Sequence, residues 1–311
     1  MNWILLAVGA QFLNAIVALI DKRIVSDEKI LPKPFVYAFY TCLVSGLWVA
    51  AYLISLLPFS FAGIPVPSFS NVIKPTLEVV SLSILAAYTF FTALVSLFTA
   101  LRSADASDVV PVVGATSAIA TFGLGYFFLN TAITQSFMLG ITLLAGGTFL
   151  VSKYHFSFKT SMVAIHAGVF FAIHYVAIKG LFLVTTFDNG FFWSRIAFVF
   201  YAISLLMVPA FWEKIIEQTK STTKQAGLLI FSNKVLAGVS TILILKATDF
   251  GDVAVVQALG GLQFVFILFI GIFFNTRSKE NKIGEEYHHD TILQKVLFVA
   301  VISLGFLALF T

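Results

Sequence analysis

Charge is scarce in this sequence. Asp, Glu, Lys and Arg fill 11% of its 311 positions, against about 25% in an ordinary soluble domain, while hydrophobic residues fill 59%. So few charges exclude an ordinary soluble class. Cysteine is scarcer still: the single Cys42 excludes an internal disulfide framework and a cysteine-based metal cluster. Enzyme signatures are missing too, with no phosphate-cradling P-loop, no HExxH and no GxSxG. The chain is therefore read as a non-enzyme that uses no cofactor. A net charge of +4 does not point to nucleic acid, because the cations are spread thinly over segments flanking apolar runs.

What the sequence has in abundance is long apolar runs. A helix crosses the hydrocarbon core with about 20 residues, and runs of this kind recur at 3–20, 35–57, 79–101, 109–129, 137–151, 162–178, 191–211, 226–245, 253–274 and 293–310. The fold class expected is thus an all-α integral membrane protein of ten transmembrane helices. The first run has no cationic residue before it and leads straight into "DKR" without a small-residue cleavage site, so it reads as a mature helix, not a signal peptide. The longest connections, 58–75 and 275–294, leave no room for a soluble domain.

Loops after odd-numbered spans hold fourteen Lys and Arg residues, and loops after even-numbered spans hold three, Lys74, Lys179 and Lys246. By the positive-inside rule the odd loops face the cytoplasm and both termini lie outside. The expected location is the plasma (inner) membrane.

Two stretches nearly repeat one another: "LFTALRSADASDVVPVV" from Leu97 and "LILKATDFGDVAVVQ" from Leu243. In register, Leu101, Asp105, Asp108, Val109 and Val112 stand opposite Leu245, Asp249, Asp252, Val253 and Val256, with Arg102 opposite Lys246. In the first and sixth spans, Ala7, Ala10, Ala15 and Lys22 stand opposite Ala164, Ala167, Ala172 and Lys179. Residues 1–152 and 153–311 therefore read as two copies of one five-span unit. Five is odd, so the second copy enters the membrane from the opposite side, which is the inverted-topology repeat of many secondary transporters. The four aspartates read first as helix caps and then as gate residues: Asp105 or Ser107 at the start of the fourth span, Asp108 near its positive end with Pro111 in its first turn, and Asp249 and Asp252 likewise in the second copy.

The ordered set "WILLAVGAQFLNAIVALIDK", "ALRSADASDVVPV" and "LNTAITQSFMLGITLLAGGTFLV", with the ten spans in two halves, resembles the drug/metabolite transporter superfamily, and within it the EamA-type ten-helix transporters. The resemblance implies a central cavity between the halves and export or exchange of a small metabolite. The sequence departs from that pattern at Asn130, where the family often has an acidic residue, and in the lengthened connection "NTRSKENKIGEEYHHDTILQK".

Ionisable groups inside a bilayer are expensive and usually face a cavity. Lys234, with Asn233 beside it, lies about eight residues into its span, roughly 12 Å of rise, too far to snorkel easily. Arg195 sits nearer a span end, where it reads equally as an anchor. His166 and His174 fall within about 80° of one another around the sixth span, as substrate ligands or buried hydrogen-bonding rings; Tyr175 is expected on another side. Gln11 and Asn14 share one face of the first span, and Tyr88, Gln257 and Gln263 complete the polar candidates, each of which could equally be interhelical glue. No acid lies deep in any span, since Glu78, Asp108 and Asp252 stand at ends. Cations and imidazoles in the interior suggest an anionic or carboxylate-bearing substrate, such as an amino acid. The only metal-like cluster, "GEEYHHD" at 284–290, lies in a solvated loop and is read as no metal site.

These readings converge on a secondary transporter working by alternating access, with a small-molecule substrate, membrane lipid and a coupling proton or ion as partners, as a monomer or homodimer. The competing reading is a lipid-linked carrier or flippase of the same fold, with Arg195 and Lys234 at the headgroup.

Overall fold

The computed structural model describes residues 3–28, 30, 31, 33–56, 68–129 and 157–277, with scattered positions in 138–150 and 296–308. The described part is helical throughout. Its elements are α1 (Trp3–Ser26), α2 (Pro34–Leu47) running into a 3-10 segment (Trp48–Leu56), a short 3-10 turn (Phe69–Asn71), α3 (Leu77–Ser103), α4 (Ala106–Leu129), α5 (Phe158–Val184), α6 (Phe187–Leu206), α7 (Pro209–Ser221), α8 (Lys224–Phe250), α9 (Val253–Ala258) and α10 (Gly261–Arg277). Among the described residues, seven helices are long and apolar enough to cross a membrane: α1, α2 with the start of its 3-10 extension, α3, α4, α5, α6 and α8. The fifth and tenth expected spans, Asn130 and the GEEYHHD cluster lie wholly or largely outside the described residues.

Helix starts follow a shared local logic. The hydroxyls of Thr76, Ser157, Thr186 and Thr223 each accept the backbone N–H three residues on, at 3.2–3.3 Å, capping α3, α5, α6 and α8. These caps lie outside the apolar windows, so the helices outrun the expected spans: α5 and α8 have 27 residues each, about 40 Å of rise against a hydrocarbon core of about 30 Å. The same extension corrects Pro111. With α4 starting at Ala106, Pro111 falls in the second turn, not the first.

The ninth expected span is not one helix. It breaks at Leu259–Gly260 into α9 and α10, where the Leu262 and Gln263 amides return to the Leu259 and Gly260 carbonyls at 3.1 and 3.0 Å. The Gly260–Gly261 pair supplies the turn that a continuous helix would not need.

Packing centres on α3 against α5, α4 against α5, and α1 against α8, with α2 lying along α6. One end of the bundle joins the 27–33 connection to α7, through the Lys33–Glu217 ion pair at 2.8 Å and the Thr222 hydroxyl on the Ile30 carbonyl at 3.4 Å. The other end docks 69–73 on the start of α6: Asn71 donates to Asp188 at 2.6 Å, the Ile73 amide to Asn189 at 2.9 Å, and the Trp193 indole to the Ile73 carbonyl at 3.0 Å.

Candidate functional site

A cavity of about 190 Å³ lies among α1, α2, α3, α4, α5, α8 and the start of α10. Its polar lining is supplied helix by helix: Gln11, Asn14 and Asp21 from α1, Thr41 and Ser45 from α2, Ser117 from α4, Lys234 and Thr241 from α8, and Gln263 beyond the α9–α10 break. Aliphatic and aromatic side chains such as Leu94, Phe90 and Phe171 close the rest.

Lys234 is where the sequence put a lone cation, and the structure corrects that reading. Its Nζ donates to Asp21 Oδ1 at 2.9 Å, with both residues buried. The same oxygen accepts Asn233 Nδ2 at 2.6 Å and the Tyr37 hydroxyl, and Asn233 Nδ2 reaches the Tyr37 oxygen at 3.2 Å. The Lys234 ammonium also rests over the Tyr37 ring, 4.2 Å from its centroid. A deep acid is therefore present, because α1 continues past its apolar run to Ser26 and carries Asp21 inside the bundle. Lys234 brings no net charge to the cavity, since a buried cation held in the interior needs its counter-ion beside it. Asn233 serves this cluster and does not line the cavity.

The other α1 candidates do line it. Asn14 Nδ2 donates to Gln11 Oε1 at 3.4 Å, Asn14 Oδ1 accepts from Ser240 at 2.6 Å, and Gln263 Nε2 donates to the Asn14 carbonyl at 3.1 Å. His174 also lines the cavity, with Nδ1 2.9 Å from the Ala86 carbonyl, and Tyr175, expected on another side, lines it beside His174. His166 does not join them: it is exposed, paired through Nδ1 with Ser96 Oγ at 2.8 Å. Tyr88 is 47% exposed and packs edge-on against Phe170 and Tyr201, away from the cavity. The Gln257 side chain lies outside the described residues.

Arg195 is buried but stands outside the cavity proper. It occupies a slot with Ser45, Trp48, Phe191, Gly238, Thr241 and Ile242, sharing Ser45 and Thr241 with the cavity wall. Its Nη1 donates to the Ser45 carbonyl at 3.3 Å, and its guanidinium carbon lies 5.0 and 4.2 Å from the Phe191 and Phe198 ring centres. Nε and Nη2 have no hydrogen-bond partner among the described residues. Each unmet buried donor costs about 1–3 kcal/mol, so this side chain is held at a disadvantage in the conformation seen.

The aspartate pairs sit at helix junctions. The Asp105 carbonyl accepts the Asp108 and Val109 amides at 3.1 and 2.9 Å at the start of α4, and Asp252 Oδ1 accepts the Val255 amide at 3.1 Å at the start of α9. Asp249 lies 3.9 Å from Lys246. Each junction also holds a lysine on helix-terminal carbonyls. Lys22 Nζ donates to the Leu101 and Ala104 carbonyls at 2.8 and 2.9 Å, closing the C-terminus of α3. Lys179 Nζ donates to the Thr248, Asp249 and Gly251 carbonyls at 2.9, 3.0 and 3.0 Å, closing α8. Each ammonium meets the negative end of a helix and its unpaired carbonyls.

Sequence reasoning missed Asp21, Tyr37, Thr41, Ser45, Ser117 and Thr241. For Asp21 a signal was there: Ile24 and Val25, three and four residues on, continue the apolar face and are fully buried. The hydroxyls carry no such signal, because one Ser or Thr in an apolar helix can always return its proton to a carbonyl four residues back, as Thr241 does to Ala237 at 2.8 Å.

No protein-family model matches the chain, and no curated protein does. One solved structure, described only as a crystal structure of a protein, is similar over 99% of this chain and 96% of its own, with a TM-score of 0.63 and 14% identity. That likeness is one of fold, along the whole chain.

Proposed function

We propose that this chain is a secondary transporter that moves a small organic metabolite by alternating access through the central cavity. The observation that carries the reading is the cavity itself, a space of about 190 Å³ whose largely apolar wall carries polar side chains from several helices, bounded by long apolar helices from both halves of the sequence. Polar side chains within lipid-crossing helices usually face such a space, and it marks a pathway for solute. The break at Leu259–Gly260 supports the same reading, since interrupted helices recur at transporter sites where backbone must meet a substrate.

The two-copy architecture, with ten spans as inverted repeats over 1–152 and 153–311, is part of this proposal. Its support is the pair Lys22 and Lys179, equivalent in sequence register, each closing the C-terminus of a helix from the equivalent register position. The resemblance to the EamA-type transporters belongs here too, as does a plasma-membrane location. The odd-loop end, proposed as cytoplasmic, is the end where α7 pairs with the 27–33 connection. There α7 carries Lys214 and Lys220 with a half-exposed Trp212, the make-up of an interfacial helix. No nucleotide-binding loop is present in the sequence, so the drive is an ion gradient, exchange or the substrate's own gradient.

The test is uptake and counterflow in proteoliposomes with a mixed panel of amino acids, organic anions and nucleotide sugars. Saturable flux that falls at least about tenfold in Gln11→Leu or Asn14→Leu is expected, since an apolar substitution leaves polar substrate groups unpaired. Absence of flux for every panel member, with the protein folded, overturns the reading in favour of a lipid-linked carrier.

A further inference from the structure

The sequence suggested an anionic substrate from interior cations and imidazoles without a deep acid, and Asp21 both supplies that acid and takes Lys234 out of the argument. A second cation restores it on different grounds. We propose that Arg195 is a carboxylate-binding subsite of the transport cavity, closed off in this conformation and opened when α8 parts from the α2–α6 pair. The inference rests on the transporter reading and names the chemistry of its substrate.

Three observations carry it. The first is which nitrogens are free. Nη1 is engaged with the Ser45 carbonyl, while Nε and Nη2 are not. Those two N–H groups form the side-on edge of the guanidinium, whose parallel donors match the two oxygens of a carboxylate. The second is the absence of a resident counter-ion: Arg195 makes no ion pair among the described residues, whereas Lys234 is paired within the same bundle. The third is the slot's position. Ser45 and Thr241 belong both to the slot and to the cavity wall, so Arg195 stands one side-chain layer behind the cavity of about 190 Å³.

The slot leaves no water-sized room as it stands, and its closure is local. On one wall, α2 and α6 approach so tightly at Gly46 that a Cβ there would meet the Val199 amide at 2.8 Å and the Arg195 carbonyl at 2.9 Å. These two helices therefore move as one. On the other wall, the Trp48 indole lies on Gly238 of α8, where a Cβ would overlap it. At the slot the contact with α8 is the Trp48 ring resting on a bare stretch of helix, while α2 and α8 are hydrogen-bonded at Tyr37 and Asn233 nearer the start of α8. It is therefore the part of α8 beyond that bond whose separation opens the slot towards the cavity while Arg195 stays seated on Phe191 and Phe198.

The full chain purified in detergent, probed with phenylacetate and its uncharged counterpart phenylacetamide, tests this by thermal unfolding. Wild type is expected to bind the carboxylate at least about tenfold more tightly than the amide. The preference should vanish in Arg195→Gln and weaken in Arg195→Lys, where the charge survives without the fork. Equal binding of the two probes by wild type, or a preference that persists in Arg195→Gln, overturns the proposal. If Arg195→Gln does not fold, Ser45→Cys in a Cys42→Ala background decides instead. Its thiol should react with an anionic methanethiosulfonate at least about fivefold faster than with a cationic one, and equal or reversed rates overturn the proposal. Counterflow separates the two levels. Flux of panel solutes without a carboxylate preference sinks the subsite and leaves the transporter, while an Arg195-dependent preference without any flux leaves the subsite and sinks the transporter.

Discussion

Where α1 crosses α8, the seam holds an aspartate, a lysine, an asparagine and a tyrosine on one carboxylate oxygen, followed by the Ser240–Asn14 bond nearer its middle. Where α5 crosses α3, the seam is aromatic: Phe90 packs 5.0 Å from the His174 ring and 5.0 Å from Phe198, and imidazoles bond to Ala86 and Ser96. In the register that sets Lys22 opposite Lys179 and Arg102 opposite Lys246, the counterparts of Asp21 and Lys234 are Ile178 and Phe90. Yet α1 and α5 each carry one lysine that closes the C-terminus of a helix in the other seam, Lys22 on α3 and Lys179 on α8. The comparison separates what α1 and α5 share, an ammonium on the C-terminus of a helix outside their own seam, from what distinguishes one seam from the other, an ion pair in place of an aliphatic residue and a ring.

The largest effect is expected from breaking that ion pair on one side. Asp21→Ala or Lys234→Met strands a buried charge and should cost about 3–5 kcal/mol, read as loss of folded protein in detergent unfolding. The double variant Asp21→Ile with Lys234→Phe gives the α1–α8 seam the residues of its counterpart and should recover most of the loss. A double variant no better than either single one would mean that geometry, not charge, holds the seam. Next come the closing lysines. Lys22→Met and Lys179→Met each remove charge-assisted bonds to carbonyls, worth about 1.5–3 kcal/mol, and similar losses are expected from both. A loss confined to one of them would break the parallel between α1 and α5.

Smaller effects sharpen the comparison. Ser240→Ala removes the bond to Asn14 and the one to the Ala10 carbonyl at 2.9 Å, and Ser96→Ala removes the partner of His166. About 1 kcal/mol is expected for each, with flux lowered only for Ser240→Ala, because Asn14 lines the cavity and His166 does not. The smallest effect lies outside both seams. Lys33, first by its hydrogen bond and then by its charge, holds the Glu217 carboxyl below its ordinary value of 4.5. A lowered folded-state value means that the tether contributes above the ordinary value and is lost as pH falls through the folded one. Unfolding midpoints should therefore fall slightly more steeply below pH 4.5 in wild type than in Lys33→Gln, and parallel curves would show that the pair tethers nothing.

Much of this molecule was legible along the chain. Apolar runs marked the helices now seen as α1 to α6 and α8, and polar residues inside those runs marked Gln11, Asn14, Lys234, His174 and Gln263 as cavity residues. Asp21 escaped because a scan for apolar runs stops at the first charge, and the run ends at Ile20. Once Lys234 neutralises it, that charge is no obstacle to the helix continuing, and only the partner reveals this. The break at Gly260 was hidden for a related reason. Two adjacent glycines permit close packing, mobility or a break alike, and the cavity lying beside them goes with the third. His166 and His174 share a face by arithmetic, but α3 covers the two differently, so one lines the cavity and the other stands exposed.

By itself, then, the sequence determined a helical chain with several membrane-crossing segments and an internal echo at Lys22 and Lys179, because hydropathy and register are properties of neighbouring residues that add along the chain. Only the tertiary structure decided that Lys234 is neutralised, that Arg195 keeps two donors unmet, and that α9 and α10 are separate helices. Those outcomes depend on how helices rotate and cross, and the Asp21–Lys234 pair joins residues 213 positions apart, where no local pattern reaches.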